Sequence, residues 1–243
     1  MSPTIDWPSF DAVLFDLDGV LTSTARVHAA AWKRTFDDFL AAVAPDQTPF
    51  DIAADYRAHV DGRPRYDGVA TFLASRGIEL PRGDPSDPPG WGTICAVGNK
   101  KNDLVTELLA TEGAEVYPGS QALLDALIPL DLALAVVSAS ANAADVLAAA
   151  GIGDRFEVLV DGRVAAELGL AGKPQPDPFL EAARRLGVQP ARAVVVEDAV
   201  AGVEAGVAGG FGAVIGVDRH HDPDALATAG ATIVVSDLGE LTP

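Results

Sequence analysis

Four carboxylates, one hydroxyl and one lysine stand at places where a chain can do chemistry. The apolar run 12–15 stops at Asp16 and Asp18, the run 132–137 at Ser138, and the run 193–196 at Glu197 and Asp198. A spacing of two turns the Asp16 and Asp18 side chains to one side of an extended segment, and Gly19 beside them permits a tight turn and close approach of a ligand. Carboxylates gathered at one point repel one another unless a cation neutralises them. An all-oxygen donor set with few protein ligands suits a hydrated Mg2+. Lys173 lies in Gly172-Lys173-Pro174, followed by Gln175-Pro176-Asp177-Pro178-Phe179, a proline-braced loop that fixes a single ammonium. Held beside a hydroxyl and a metal ion, such a lysine grips a phosphate and stabilises the charge of its transfer. Each residue alone has a bland reading, as turn acid, helix-start acid or solvated surface lysine; the combination favours phosphate chemistry.

The elements that must position these residues are legible as alternating patterns. Runs 12–15, 132–137, 193–196, 213–217 and 232–235 are short and almost continuously apolar, as strands of a parallel sheet covered on both faces are. Helical patterns cover 121–127, 144–150, 178–186 and 200–208, with Asp177 as N-cap candidate before Pro178. Strand and helix therefore alternate from about residue 114 onward, which describes an open α/β sheet. Ligands of such sheets lie at the C-terminal ends of the strands, where all these polar residues fall. More than a hundred residues separate Phe15 from the next buried strand, and helical patterns at 26–43, 52–59, 67–75 and 103–111 fill the gap. A small helical domain inserted after the first strand accounts for the excursion, with the proline-rich 81–91 as an internal connection.

Composition bounds the partners. Of 243 residues, 17 are Lys or Arg and 35 are Asp or Glu, a net charge of −18, which argues against a nucleic acid or an anionic membrane. The single Cys95 excludes a disulfide within the chain and a cysteine-based zinc cluster. The first eleven residues lack a basic and apolar leader, and no run approaches the roughly 20 apolar residues of a membrane span. A soluble, cytoplasmic protein is expected. Asp218, His220, His221 and Asp222 read as a solvated turn, and His59 as a helix-surface residue. Trp32 and Trp91 read as packing residues of the insert. Gly202, Gly206, Gly209 and Gly210 lack dinucleotide-binding spacing and are expected to let a helix approach the sheet.

In their order, Phe15-Asp16-Leu17-Asp18-Gly19-Val20, the strand-end Ser138, Lys173 with its prolines, and Glu197-Asp198 resemble the four motifs of the haloacid dehalogenase superfamily. The segments 22–28, Ala31-Trp32-Lys33, Val116-Tyr117-Pro118-Gly119, Ser138-Ala139-Ser140 and Gly172-Lys173-Pro174 are similar to the β-phosphoglucomutase-like branch and its nearest phosphatases. The resemblance implies an α/β fold, a Rossmann-like parallel sheet over 1–23 and 114–243 with an α-helical cap domain over 24–113. It implies Asp16 as the nucleophile that becomes an aspartyl phosphate and Asp18 as general acid and base. Mg2+ would be held by Asp16, the Asp18 carbonyl, Asp198 and Glu197, and the phosphoryl group by Ser138 and Lys173. In the cap, Arg65 matches an arginine for the distal phosphate, His28 a histidine that couples binding to closure, and Lys101 a cap lysine. Thr24, Ala139 and Asn142 complete the expected substrate contacts.

Departures from that branch bear on specificity. Ala141, followed by Asn142, replaces a lysine after Ser140, and Asp61 stands just before Gly62 where a cap lysine is missing; Arg63 is placed to compensate. The expected substrate is a small phosphosugar and the expected assembly a monomer or weak homodimer. Two enzymatic readings stand side by side, a phosphohexomutase and a sugar-phosphate phosphatase. A non-catalytic phosphoacceptor domain is the third, weakened because it needs neither Asp18 nor a cap.

Overall fold

A computed structural model describes residues 4–61, 63–219 and 221–243. The chain divides into two compact units, one formed by Met1–Ser23 and Ala114–Pro243, the other by Thr24–Gly113.

The first unit is a parallel sheet wrapped by helices. Its strands are β1 (Ala12–Phe15), β2 (Ala133–Val137), β3 (Val158–Val160), β4 (Ala193–Glu197), β5 (Ala213–Val217) and β6 (Ile233–Val235). They lie in the order β3-β2-β1-β4-β5-β6, all parallel. β1 is central, and its four residues are fully buried, which only a continuously apolar sequence tolerates. The order reverses on either side of β1, so the crevice beyond its C-terminal end is the natural ligand position of such a sheet. Register fixes what shares that end. Phe15 pairs with Val136 on one side and Val196 on the other, which sets Val137 and Glu197 beside Asp16. Five strands were expected; β3, at the edge and three residues long, is the sixth.

The helices of this unit are α4 (Pro118–Leu127), α5 (Ala143–Ala149), α6 (Gly162–Leu168), α7 (Asp177–Leu186), α8 (Val200–Ala208) and α9 (Pro223–Thr228). Helix α7 starts one residue earlier than the sequence suggests. Pro176 is the flanking residue, and Asp177, the expected cap, opens the helix and accepts from the Ala171 N–H at 3.1 Å instead. Gly187 ends α7 in the left-handed conformation at φ 73°, as a C-terminal glycine does. On α8, a Cβ at Gly206 would lie 3.0 Å from Val214 and 3.2 Å from Val195, so the small residues do bring this helix against the sheet.

The second unit contains α1 (Ala25–Val43), a π-turn at Tyr56–Val60, α2 (Arg65–Ser75) and α3 (Ile94–Glu112). Two expectations are corrected here. The helix expected over 52–59 is a run of turns ending in the π-turn, and α3 begins nine residues before 103. Thr93 explains the early start: its side chain accepts from the Ala96 N–H at 3.0 Å and caps the helix. The core of this unit is aromatic, with Trp32 stacked on Phe36 at 5.0 Å and Phe36 against Phe72 at 4.0 Å. Trp91 meets Phe39 edge-on at 5.7 Å, so both tryptophans pack as expected. His59 does not lie on the surface: it is half-buried, edge-on to Phe72 at 6.1 Å and 3.9 Å from Asp55. Truncating a ring as enclosed as Phe36 costs about 3–5 kcal/mol. Among the described residues no helix is long and apolar enough to cross a membrane.

Candidate active site

Asp16 follows β1 directly, and its N–H still donates into the ladder, to Val196 O at 2.9 Å. Its side chain is buried, and Oδ1 accepts from Lys173 Nζ at 2.5 Å. The same ammonium donates to Glu197 Oε1 at 2.6 Å and to Val137 O at 3.2 Å, with the Phe179 ring 4.9 Å beneath it. One lysine from the loop before α7 thus ties together the ends of β1, β2 and β4. Burial pushes the Asp16 carboxyl up, to about 8, against the pull of Lys173 and with further push from Glu197 and Asp18. Burial also works against the Lys173 ammonium, but Asp16 and Glu197 more than offset it and hold its pKa above the ordinary value. One positive charge among three carboxylates leaves an excess of negative charge.

The residues present fit a magnesium ion on that ground: hard oxygen donors, buried, with negative charge in excess. Among the described residues no three His, Cys, Asp or Glu side chains form a ready metal-holding group. The Asp198 carboxylate lies against Gly19, next to Asp18, and so few protein oxygens would suit an ion that keeps several waters. Glu197, the other expected ligand, accepts from Lys173 at Oε1 and from the Ala199 N–H at Oε2 at 2.9 Å, which leaves a lone pair on each oxygen.

Two glycines make room for these acids. Gly19 has φ 89°, and a Cβ there would collide with the Asp198 carboxylate; a Cβ at Gly202 would collide with the Glu197 carboxylate. Asp18 is half-buried in a tight turn in which the Gly19 N–H donates to Thr22 O at 2.9 Å and the Leu21 N–H to Leu17 O at 2.9 Å.

Ser138 is buried one residue past β2, and its Oγ accepts from the Ser140 N–H at 3.1 Å. Ala139 is exposed, and Asn142 stands just before α5 with its N–H on Ser140 Oγ at 3.2 Å. Sequence reasoning missed the brace under this loop. Asp161, buried after β3, accepts from the N–H groups of Arg163 (3.0 Å) and Val164 (2.9 Å), and Gly162 fits beneath the Ala139 carbonyl where a Cβ would be 2.6 Å away. The short apolar run before Asp161-Gly162 was the available signal.

The remaining candidates belong to the helical unit. Thr24 is buried before α1 and its carbonyl accepts from the His28 N–H at 2.9 Å. Lys101 Nζ lies 2.8 Å from His28 Nδ1; an ammonium has only protons to give, so the ring nitrogen accepts and Nε2 carries the imidazole proton. Lys101 also rests 4.8 Å above Trp32. Arg65 opens α2, donates to Tyr66 Oη at 3.0 Å and covers the Tyr66 ring at 4.8 Å. Arg63 is exposed, Asp61 is half-buried, and Gly62 lies outside the described residues. Of the four polar residues after β5, His220 also lies outside them. Asp218 Oδ1 accepts from the Asp222 N–H at 3.0 Å, and Asp222 caps α9, a turn network as expected.

An acid-ended parallel sheet with a lysine across its central strand and a helical insert after that strand defines a class of phosphoryl-transfer enzyme, and comparison with known proteins identifies it. Residues 10–210 match the family model of haloacid dehalogenase-like hydrolases. The chain belongs to that family, as an enzyme of its phosphomutase or phosphatase kind. It is 50% identical over 238 residues to a β-phosphoglucomutase of Mycobacterium bovis, covering 95% of this chain and 90% of the relative. It is 30% identical over 205 residues to the fructose-1-phosphate phosphatase of Escherichia coli, covering 84% and 95%. The crystal structure of β-phosphoglucomutase from Clostridium difficile superposes with a TM-score of 0.77 at 25% identity, covering 96% of this chain and 93% of that one.

Proposed function

We propose that this protein is a Mg2+-dependent phosphohexomutase of the β-phosphoglucomutase type, acting on a small phosphosugar through an aspartyl phosphate on Asp16. The observation that carries the reading is Asp16, buried at the end of the central strand with one oxygen held by Lys173. The 50% identity to a β-phosphoglucomutase favours isomerisation over hydrolysis.

In this reading an Asp16 oxygen attacks phosphorus, forming the acyl phosphate O–P bond as the bond from phosphorus to the sugar oxygen breaks. Asp18 gives its proton to the departing oxygen, then takes the proton of the hydroxyl that accepts the phosphoryl group back. Lys173 and Ser138 hold the phosphoryl oxygens during both transfers. Asp16, Asp198, the Asp18 carbonyl and Glu197 would hold Mg2+, which would supply charge neutralisation at the phosphoryl group. Arg65 binds the second phosphate of the bisphosphate intermediate, with Lys101, His28, Thr24, Ala139 and Asn142 as further substrate contacts. The domains act as a catalytic core, 1–23 with 114–243, and a specificity cap, 24–113.

A sugar-phosphate phosphatase, with water as final acceptor, is the second reading. Ala141 in place of the lysine after Ser140 favours it, because a bisphosphate then has one cation fewer to hold it. The test is incubation with β-glucose 1-phosphate, Mg2+ and a trace of glucose 1,6-bisphosphate, measuring glucose 6-phosphate and free phosphate. Glucose 6-phosphate without matching phosphate release is expected; stoichiometric phosphate without glucose 6-phosphate would overturn the mutase reading. Asp16→Asn should abolish both turnover and phosphoenzyme.

A further inference from the structure

Three successive carbonyls of the turn after Asp18 are gripped from outside the turn. Gly19 O accepts from Arg219 Nε at 2.7 Å, Val20 O from Ser120 Oγ at 2.6 Å, and Leu21 O from the Tyr117 N–H at 3.0 Å. Ser120 and Tyr117 come from the start of α4; Arg219 follows β5, two hundred positions from its partner. All of them lie in the first unit.

Arg219 is the member whose side chain is costly to place there. Its guanidinium is stacked on the Tyr117 ring at 3.8 Å, donates to Ser236 O at 3.2 Å, and stands 3.9 Å from Asp237 Oδ2. Nη2 is buried with no hydrogen-bond partner among the described residues. A merely structural arginine in that place is expected to satisfy its donors, whereas this one gives up a buried donor to keep Nε on the Gly19 carbonyl. Gly19 is also the residue at φ 89° whose Cα lies against Asp198, so turning its peptide would displace both neighbours, Asp18 and Asp198. The charges agree with this placement. Burial pushes the Tyr117 phenol up, Arg219 pulls it down, and Asp198 and Asp18 both push it up, so the same ring senses the arginine and the two acids.

We propose that Arg219, stacked on Tyr117 and bonded to the Gly19 carbonyl, is a positioning residue that holds the Asp18 carboxyl at the angle proton transfer needs. The inference rests on the reading of Asp18 as general acid, and it assigns a function to a residue outside the four motifs. A misplacement of about 1 Å costs on the order of 100-fold in such a step.

The leaving group separates positioning from general damage. A sugar oxygen needs a proton to depart, whereas p-nitrophenolate leaves without one. First-turnover rates of phosphoenzyme formation are therefore measured on β-glucose 1-phosphate and on p-nitrophenyl phosphate for wild type, Arg219→Ala, Arg219→Lys and Asp18→Asn. Arg219→Ala should lose roughly 10- to 100-fold on the sugar phosphate and less than about 3-fold on the aryl phosphate. Added guanidinium should restore part of the loss in Arg219→Ala. Arg219→Lys keeps the buried charge and the stem on Tyr117, so it guards against failure to fold and should fall between. Equal losses on the two substrates in both arginine variants, or no loss, would overturn the proposal while leaving a selective Asp18→Asn intact. An Asp18→Asn enzyme without leaving-group selectivity would overturn the general-acid reading, and the proposal with it.

Discussion

Lys173 of the sheet unit and Arg65 of the helical unit, the two candidate phosphate-binding cations, are held in opposite ways. In the sheet unit Lys173 is locked between two carboxylates, Asp16 Oδ1 at 2.5 Å and Glu197 Oε1 at 2.6 Å. In the helical unit Arg65 lies on Tyr66 at 4.8 Å and Lys100 on Trp91 at 5.0 Å, held by rings and a phenol. An aromatic face orients a cation without cancelling its charge. A carboxylate partner orients it and neutralises it as well. Lys173 is therefore fixed in place with its charge balanced, while Arg65 and Lys100 keep theirs in a chain of net charge −18.

The sharpest way to break that contrast is Lys173→Met, which keeps the length and removes the charge. Turnover on any phosphate ester should fall by about 100- to 1,000-fold, because stabilisation of the transferring group is lost whatever the leaving group. A loss below about 10-fold would mean that Lys173 only neutralises its neighbours. Arg65→Ala should act more mildly and selectively: KM for a bisphosphorylated sugar rises roughly 10-fold, with the KM for an aryl phosphate unchanged. Equal changes would remove Arg65 from recognition.

The smallest effect is on stability, and it tests whether the sheet unit really carries surplus negative charge. Burial pushes the Asp16 carboxyl up to about 8 in the folded protein, from an ordinary 3.8. Folded protein then binds a proton that the unfolded chain has released, so stability is greatest below the unfolded value and declines as pH rises from about 4 toward 8. Without Mg2+, the Tm should decline across that window; added Mg2+ should recover it, and Asp16→Asn should flatten the profile and raise Tm at neutral pH by a few degrees. A metal-free Tm that rises with pH across the window would show that Lys173 alone balances the site.

Legibility in the sequence followed the same division. Strands β1 and β5 were readable to the residue because a strand buried on both faces has to be apolar throughout. The ends of the runs in β1, β2 and β4 marked Asp16, Ser138 and Glu197 in the same way. The edge strand β3 was overlooked, since its apolar run is only three residues long and two of the three are half-open. The first nine residues of α3 were hidden because Gly98, Asn99, Lys100 and Lys101 look like a turn, and only the Thr93 cap and the packing of Val97 make them helical. The hydrogen bonds of Glu197 were hidden for a different reason: a sequence shows a carboxylate but not which donors reach its two oxygens. Arg219 escaped notice because its partner is a main-chain oxygen, which leaves no mark in residue types.

One junction in the first unit has a meaning for the history and the engineering of this chain. The strands leading out of β1 and back into α4 touch: Thr22 bridges Val116 antiparallel, the Ser23 N–H donates to Glu115 O at 2.9 Å, and Tyr117 closes on Leu21. The ninety residues from Thr24 to Gly113 hang from a hairpin whose two stems are already zipped. Replaced by a short turn, they would leave the stem pairing of the sheet unit undisturbed, and another helical module could be spliced onto the same stub. The inserted unit is thus a cassette that a splice at the two stems can exchange.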